Sequence, residues 1–341
     1  MKSGRSLLIA LSLIALTGCG APSISPVLGE KLAHPLFQSR SLKETELSLI
    51  VLPAAGIKPI LSAIKGAKKS IKLEMYMFTN TSLTSQIIQA LSDQAKAGLE
   101  VKVLLDPNPY NPSGNGNSNA EATKALIAGG VTVKTSNPKY VFTHEKAMVV
   151  DGNTAYVMTF NFTSSAFTKN REYALVDNHP EDVAEIGRIF EADWNQQAIS
   201  PQAPNLVVSP DNSRRKILAL IDSAQKDILL QCEFLTDPSV ATHLGARARA
   251  GVDVKVMLSS GSSNEKEAKL LREKGVTQLV FTKKLVMHAK AIVVDKTEAF
   301  VGSENFTANS LDNNREMGLL IQDKSVVDAL AATAQGDWNN P

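Results

Sequence analysis

The chain carries its own sequence twice, and no other feature limits its fold so strongly. His144-Glu-Lys146-Ala-Met-Val-Val-Asp151 returns as His288-Ala-Lys290-Ala-Ile-Val-Val-Asp295. The same spacing carries Asn161 onto Asn305, Asn170-Arg171-Glu172 onto Asn314-Arg315-Glu316, and Asp193-Trp194 onto Asp337-Trp338. Upstream, Ala97–Val103 matches Ala250–Val256 at a wider spacing, so the first half holds an insertion. It falls in 106–120, a run rich in Pro, Gly and Asn that reads as a surface loop. With 341 residues, each half is long enough to bury its own core.

Each half alternates apolar strands with amphipathic helices, which predicts α/β architecture: two tandem α/β sandwich lobes related by a pseudo-twofold. In the second half, Asp211 is read as the cap of a helix running to Ala224, and Asp227–Phe234 as a strand. A helix over Pro238–Ala250, a strand over Val252–Leu258 and a helix over Lys266–Lys274 follow. Strands near His288–Val294, Ala299–Gly302 and Glu316–Ile321 precede a last helix reaching Trp338. The expected organisation is a signal peptide at 1–18, a tether or arm at 19–47, a first lobe at 48–198, a proline-bearing linker at 199–205 and a second lobe at 206–341.

Lys2 and Arg5 precede an apolar stretch from Leu7 to Leu16, too short for a mature span of ~20 residues. Leu16-Thr-Gly-Cys19 resembles the lipobox of bacterial lipoproteins, so Cys19 is expected to become the lipidated start of an exported, envelope-tethered protein. Losing 1–18 removes Lys2 and Arg5 from the 36 basic residues, leaving 34 against 34 acids. A balanced chain weakens a nucleic-acid reading, because that affinity comes mainly from neutralised phosphates. Cys232 then has no partner and reads as a buried thiol. His34, His179 and His243 lack the repeated context; Lys65–Lys72 and Arg214–Lys216 read as solvated helix faces.

The repeated polar residues suit a phosphodiester. His144 and Lys146 share a strand face, as do Thr159 and Asn161 after the turn; His288, Lys290, Ser303 and Asn305 repeat the set. Lysine ammonium groups with Asn161, Asn305, Thr159 and Ser303 can donate to phosphate oxygens. One histidine can attack phosphorus while the other protonates the leaving oxygen. Glu172 and Glu316, each following its own half's histidine, can hold the imidazole tautomer. Asp151 and Asp295 fall on the opposite face next to turns and read as structural. No paired carboxylates recur with the motif and a lysine stands beside each histidine, so neither a metal nor a cofactor is called for.

Duplicated H-x-K-x4-D with a later Gly302-Ser-Glu-Asn305 resembles the phospholipase D superfamily across nearly all of 48–341. The resemblance implies two α/β lobes sharing one metal-independent site, a phosphohistidine intermediate, and a nucleophile from the first motif, His144, with His288 as general acid. The first half departs from it, with Met158-Thr-Phe-Asn161 placing a methionine where glycine is expected and narrowing the approach to phosphate. Export and a lipid anchor favour a phospholipid at a membrane surface, with hydrolysis to phosphatidic acid or head-group transfer. An exported nuclease and a non-catalytic envelope binding protein are the alternatives. No obligate protein partner is expected.

Overall fold

Residues 46–110, 118–261 and 264–341 are described in a computed structural model of the chain. The signal peptide, Cys19, His34, nearly all of the 19–47 arm and the middle of the 106–120 loop lie outside them.

The first lobe runs β1 (Leu47–Leu52), α1 (Lys58–Gly66), β2 (Ser70–Met75), α2 (Ser85–Lys96), β3 (Glu100–Leu105), α3 (Ala120–Ala128), β4 (Thr132–Thr135), β5 (Lys146–Val150), β6 (Thr154–Met158), α4 (Ser164–Thr168), β7 (Asn170–Asp177) and α5 (Pro180–Trp194). The second runs β8 (Leu206–Ser209), α6 (Ser213–Ser223), β9 (Asp227–Cys232), α7 (Pro238–Arg249), β10 (Asp253–Ser259), α8 (Asn264–Lys274), β11 (Gln278–Thr282), β12 (Val286–Met287), β13 (Lys290–Val294), β14 (Glu298–Gly302), α9 (Ala308–Asp312), β15 (Glu316–Ile321) and α10 (Lys324–Asn339). Each lobe builds one mixed sheet, ordered β1-β7-β6-β5-β2-β3-β4 and β11-β10-β9-β13-β14-β15-β8. These are the two α/β lobes the duplication demands.

Strand alternation explains how the layers stack. In β5, Met148 and Val150 face a core shared with α1, α2 and α3, while Ala147 and Val149 face the other lobe. In β13, Ile292 and Val294 face α6 and α7, while Ala291 and Val293 face the first lobe. The middle layer also takes Ile186 of α5 and Leu330 of α10, so the interface is a continuous apolar core. Small residues there (Ala147, Ala155, Ala289, Ala291, Ala299) let the sheets approach closely.

The lobes are also threaded through each other. β12 belongs to the second half of the chain but pairs in parallel with β7, matching Val286 to Asn170 and Met287 to Arg171. Its mirror is a bridge between Thr143 and Arg315. As a result the His144 backbone N–H donates to the Arg315 carbonyl (2.8 Å), and that of His288 to the Arg171 carbonyl (3.3 Å).

Two local expectations fail. α6 follows Asn212, and Asp211 sits 3.2 Å from the Arg315 guanidinium instead of capping the helix. Lys216 is no solvated face: it is buried and donates to the Pro204 and Leu206 carbonyls, and burial lowers it to about 8. A lysine there is tolerated because two carbonyls replace its water.

Candidate active site

Asp151 and Asp295 anchor the motif strands. Both have left-handed φ, 57° and 52°, where aspartate is among the residues that tolerate it. The Asp151 carboxylate accepts backbone N–H groups of Lys68, Lys69 and Ser70 at 2.7–3.1 Å, tying the start of β2 to the end of β5. Asp295 does the same with Gln225, Lys226 and Asp227. Three donors and Lys69 outweigh desolvation and hold Asp151 below the ordinary carboxylate range.

His144 and His288 open into one cleft of about 290 Å³ between the lobes. Each lies just ahead of its strand, on the segment zipped to the other lobe, so the glutamate that reaches it comes from there. His144 Nδ1 is 2.7 Å from Glu316 Oε2, and His288 Nδ1 is 2.8 Å from Glu172 Oε1. The expectation that each glutamate serves its own half's histidine is therefore corrected. The crossing strands β7 and β15 carry the Asn-Arg-Glu triplets into the opposite lobe's motif. Within each triplet the asparagine amide steadies the carboxylate, Asn314 on Glu316 and Asn170 on Glu172, both at 3.0 Å.

The arginines clasp in the same crosswise sense. Arg171 pairs with Asp337 of α10 (2.7 Å), and Arg315 with Asp193 of α5 (2.9 Å). The recurring Asp-Trp pairs thus supply the partners of the recurring Asn-Arg-Glu.

Thr159 and Ser303, expected to donate to a phosphate, do not line the cleft. Both are fully buried behind the glutamates: Thr159 Oγ1 donates to Glu172 (2.6 Å), and each hydroxyl accepts the N–H of a β7 or β15 residue, Tyr173 or Met317. Asn161 and Asn305 do line the cleft, and their side-chain amide oxygens (Oδ1) have no protein partner among the described residues. Lys146 and Lys290 are buried, their ammonium groups turned back onto the carbonyls of His144 (2.5 Å) and His288 (2.6 Å). Met158 does not narrow the approach; it is fully buried in the outer core of the first lobe. Glycine at 302 has a steric cause: a Cβ there would lie 2.3 Å from Glu304 Oε2 and 2.6 Å from Gly318 Cα.

The cleft also contains residues the repeat does not reveal, because they differ between halves. Tyr76, after β2, packs edge-on against His144 with ring centroids 4.5 Å apart, and Lys146 lies over the same ring. The corresponding place after β9 is held by Glu233, whose Oε2 is 2.9 Å from Lys290 Nζ and 3.3 Å from His288 Nε2. A lone acid inside the apolar run Ile228–Leu235 was the available signal. Around Tyr76 the first-lobe wall is mainly apolar, with Met77, Tyr110 and Phe142; around Glu233 the second-lobe wall is more polar, with Thr307, Asn309 and Ser310 beside Phe234.

The two sides differ in charge as well. Burial, only partly offset by Glu316, lowers His144 to about 4. Glu316 stays ionised, since His144, Lys146 and Asn314 outweigh the desolvation that would raise it. His144 at neutral pH is a neutral imidazole whose Nδ1–H faces Glu316, leaving the Nε2 lone pair free. Glu233 is likewise held down to about 2, its burial overcome by the charges of His288 and Lys290.

A family model described as cardiolipin synthase, PLD-like domain, matches residues 60–194 and again 217–338. A cardiolipin synthase of Clostridium perfringens (strain SM101) is 27% identical over 311 residues, covering 77% of this chain and 64% of its own. The major cardiolipin synthase ClsA of Bacillus subtilis is 27% identical over 322 residues, covering 82% of this chain and 66% of its own. The chain thus spans just under two thirds of the length of these curated relatives. Among solved structures, phosphatidylserine synthase from Haemophilus influenzae aligns with TM-score 0.67 at 15% identity, over 88% of this chain and 87% of that one. Polyphosphate kinase from Porphyromonas gingivalis gives the same score at 17% identity, over 85% and 46%. At such identities these two structures speak for the fold alone. Two matched segments, each carrying one H-x-K-x4-D, place the chain in the phospholipase D superfamily.

Proposed function

We propose that the chain is a phospholipid phosphodiesterase that moves a phosphatidyl group through a covalent intermediate on His144, delivering it to an alcohol or to water. The observation that carries this reading is the pair of crosswise-held histidines on a cleft whose first-lobe wall is mainly apolar and whose second-lobe wall is mainly polar. Nε2 of His144 attacks phosphorus, forming an N–P bond as the bond to the head-group oxygen breaks. His288 gives that oxygen its proton. Asn161 and Asn305, with the charge of Lys146 and Lys290 behind them, offset the charge gathering on the phosphoryl oxygens. An acceptor then enters on the His288 side, loses its proton to that imidazole and attacks phosphorus, and the N–P bond breaks. Water yields phosphatidic acid; an alcohol yields a new phosphodiester.

Relatives named cardiolipin synthases support the phospholipid, and the apolar wall of Tyr76, Met77, Tyr110 and Phe142 suits a diacylglycerol. A carboxylate on the opposite wall suits a polynucleotide poorly, since flanking phosphates would meet it. The Leu-Thr-Gly-Cys19 sequence completes the proposal with an envelope lipoprotein, exported and acylated at Cys19, whose site works beside a membrane. Mass spectrometry of the native N-terminus tests the anchor; an unmodified start elsewhere would remove it. Among the described residues no helix is long and apolar enough to cross a membrane.

The enzymatic reading is tested by giving the purified protein vesicles of phosphatidylglycerol or phosphatidylcholine, or plasmid DNA, all with chelator. Lipid products with intact DNA are expected. Nicked DNA with unchanged lipid would overturn the phospholipid assignment.

A further inference from the structure

We propose that Glu233 is the specificity residue of the leaving-group and acceptor side of the cleft, and that it selects a neutral polyol, a glycerol-type alcohol, over a simple alcohol or a cationic head group. This rests on the function proposed above. The in-line geometry of that reaction puts the departing and the incoming oxygen at His288, opposite His144. Glu233 is the side chain already at that nitrogen, with Oε2 3.3 Å from Nε2. Whatever alcohol leaves or enters there does so against its carboxylate.

The charges beside that carboxylate choose the ligand. Oε2 receives Lys290 at 2.9 Å and lies beside His288, so two basic groups serve one oxygen. Among the described residues no hydrogen bond reaches Oε1. A quaternary ammonium brought there would face Lys290 and His288 as well as the carboxylate, and has no N–H to donate. A second hydroxyl of a polyol can donate to Oε1 while its reacting hydroxyl sits at His288 Nε2. Thr307, Asn309 and Ser310 add neutral polar groups to the wall, and Phe234 beside Glu233 can pack against the carbon chain of the polyol. The Glu233 side chain is 23% exposed to the cleft, so a simple alcohol leaves Oε1 to water, whereas a polyol replaces that water with its own hydroxyl, and this difference creates the discrimination.

The equivalent position in the first lobe makes the same point by contrast. Tyr76 offers His144 a ring edge, and its hydroxyl is occupied in accepting the Tyr110 N–H, at 2.5 Å. A carboxylate beside the attacking Nε2 would repel the phosphodiester; beside the departing oxygen it reads the group attached to it.

The experiment measures partition, which does not depend on absolute rate. Full-length wild type, Glu233→Gln and Glu233→Asp receive phosphatidylglycerol vesicles with equal deuterated glycerol, ethanol and choline as competing acceptors. The ratio of deuterated phosphatidylglycerol to phosphatidylethanol, with any phosphatidylcholine formed, is read by mass spectrometry. Wild type is expected to favour glycerol about tenfold or more, Glu233→Gln to fall to about unity, and Glu233→Asp, which keeps a shorter carboxylate, to lie between. With bis-p-nitrophenyl phosphate in place of the lipid, nitrophenol release reports the parent chemistry separately. A Glu233→Gln or Glu233→Asp enzyme that is slower on both acceptors but keeps the wild-type ratio overturns the selectivity role while the parent reading stands. A wild type that prefers ethanol, or that adds choline as readily as glycerol, overturns it too. No turnover of either donor by wild type overturns both.

Discussion

The two lobes agree in the residues that hold each other and in the motif histidines, lysines and asparagines, and differ in the cleft walls around them. Strands β7 and β15 cross to the opposite motif, each bringing asparagine, arginine and glutamate; α5 and α10 each present an aspartate to receive the arginine. Around that frame Tyr76 faces Glu233 across the pseudo-twofold, and Phe160 stands where the second lobe has Glu304. The buried acids are also unequal. Glu74 and Glu145 crowd Asp193 and Arg315, whereas the matching positions near Asp337 and Arg171 are Gln231 and Ala289. A duplicated chain can thus keep a symmetric clasp for stability while residues outside the repeat give the two histidines different surroundings.

The largest effects come from uncoupling the crosswise pairs. With bis-p-nitrophenyl phosphate, whose leaving group departs without a proton, His144→Asn should show no phosphoryl-enzyme and lose turnover by about ten-thousand-fold. His288→Asn should accumulate the labelled intermediate. The crossing then predicts the glutamates: Glu316→Gln, in the second half, should slow label formation about a hundredfold or more, whereas Glu172→Gln, in the first, should slow label loss. The reverse pattern would mean that each glutamate serves its own half. Because His144 is held neutral down to about pH 4, the acid limb of label formation should fall near there rather than near ~6.5.

Next in size is the clasp. Arg315 is fully buried between Asp193, Asp211 and Tyr140, with Glu74 and Glu145 nearby, so Arg315→Met leaves acids buried without their cation. A loss of about 3–5 kcal/mol in urea unfolding is expected. Arg171 is slightly exposed and, among the described residues, Asp337 is the one carboxylate it meets, so Arg171→Met should cost distinctly less. Equal costs would remove the asymmetry of the buried acids. Smaller again is Gly302→Ala, where the new Cβ must push Glu304 and the Gly318 backbone, at about 1–3 kcal/mol. Met158→Ala, at the equivalent position, should cost stability as a core truncation and leave the acceptor ratio unchanged.

Much of this was legible before any coordinates, for a physical reason. Duplication exposes every residue that the symmetric frame needs, so the lobes, the histidines, the lysines and the motif aspartates stand out in the sequence. What it hides is pairing in space. Glu172 and Glu316 were visible as residues, but strand alternation within one half says nothing about a strand that crosses into the other. Thr159 and Ser303 share a strand face with the asparagines, yet Thr159 gives its hydroxyl to Glu172 and both hydroxyls accept a backbone N–H of the neighbouring strand, pairings that alternation alone does not foretell. Glu233 and Tyr76 are invisible to a comparison of halves because they do not match, and residues that do not match are the ones that make the histidines unequal.

The last effect appears only as pH changes and concerns Glu145, the acid between His144 and Lys146, where the second lobe has Ala289. Desolvation first, then the repulsion of Asp193, raises its carboxyl to about 8, while Arg315 only partly compensates. In the unfolded chain it returns to about 4.5. Between those values the folded protein keeps a proton that the unfolded chain has released, so this group's contribution to stability is fully present below about 4.5 and is lost as pH rises through about 8. Lys146, lowered to about 7 by burial, works in the opposite direction above that pH, because its unfolded state binds the extra proton. The wild-type curve therefore mixes the two, and the difference between wild type and Glu145→Gln separates them. Glutamine mimics the protonated acid, so the two proteins should melt together near pH 5, and the variant should gain stability steadily to pH 8–9. A gain of 1 kcal/mol there corresponds to roughly 2–4 °C. Scanning calorimetry at intervals across that range reads it directly. A melting-temperature difference that stays flat with pH would mean that Glu145 is ionised throughout, and that the first lobe's extra acids are balanced by charge rather than by protons.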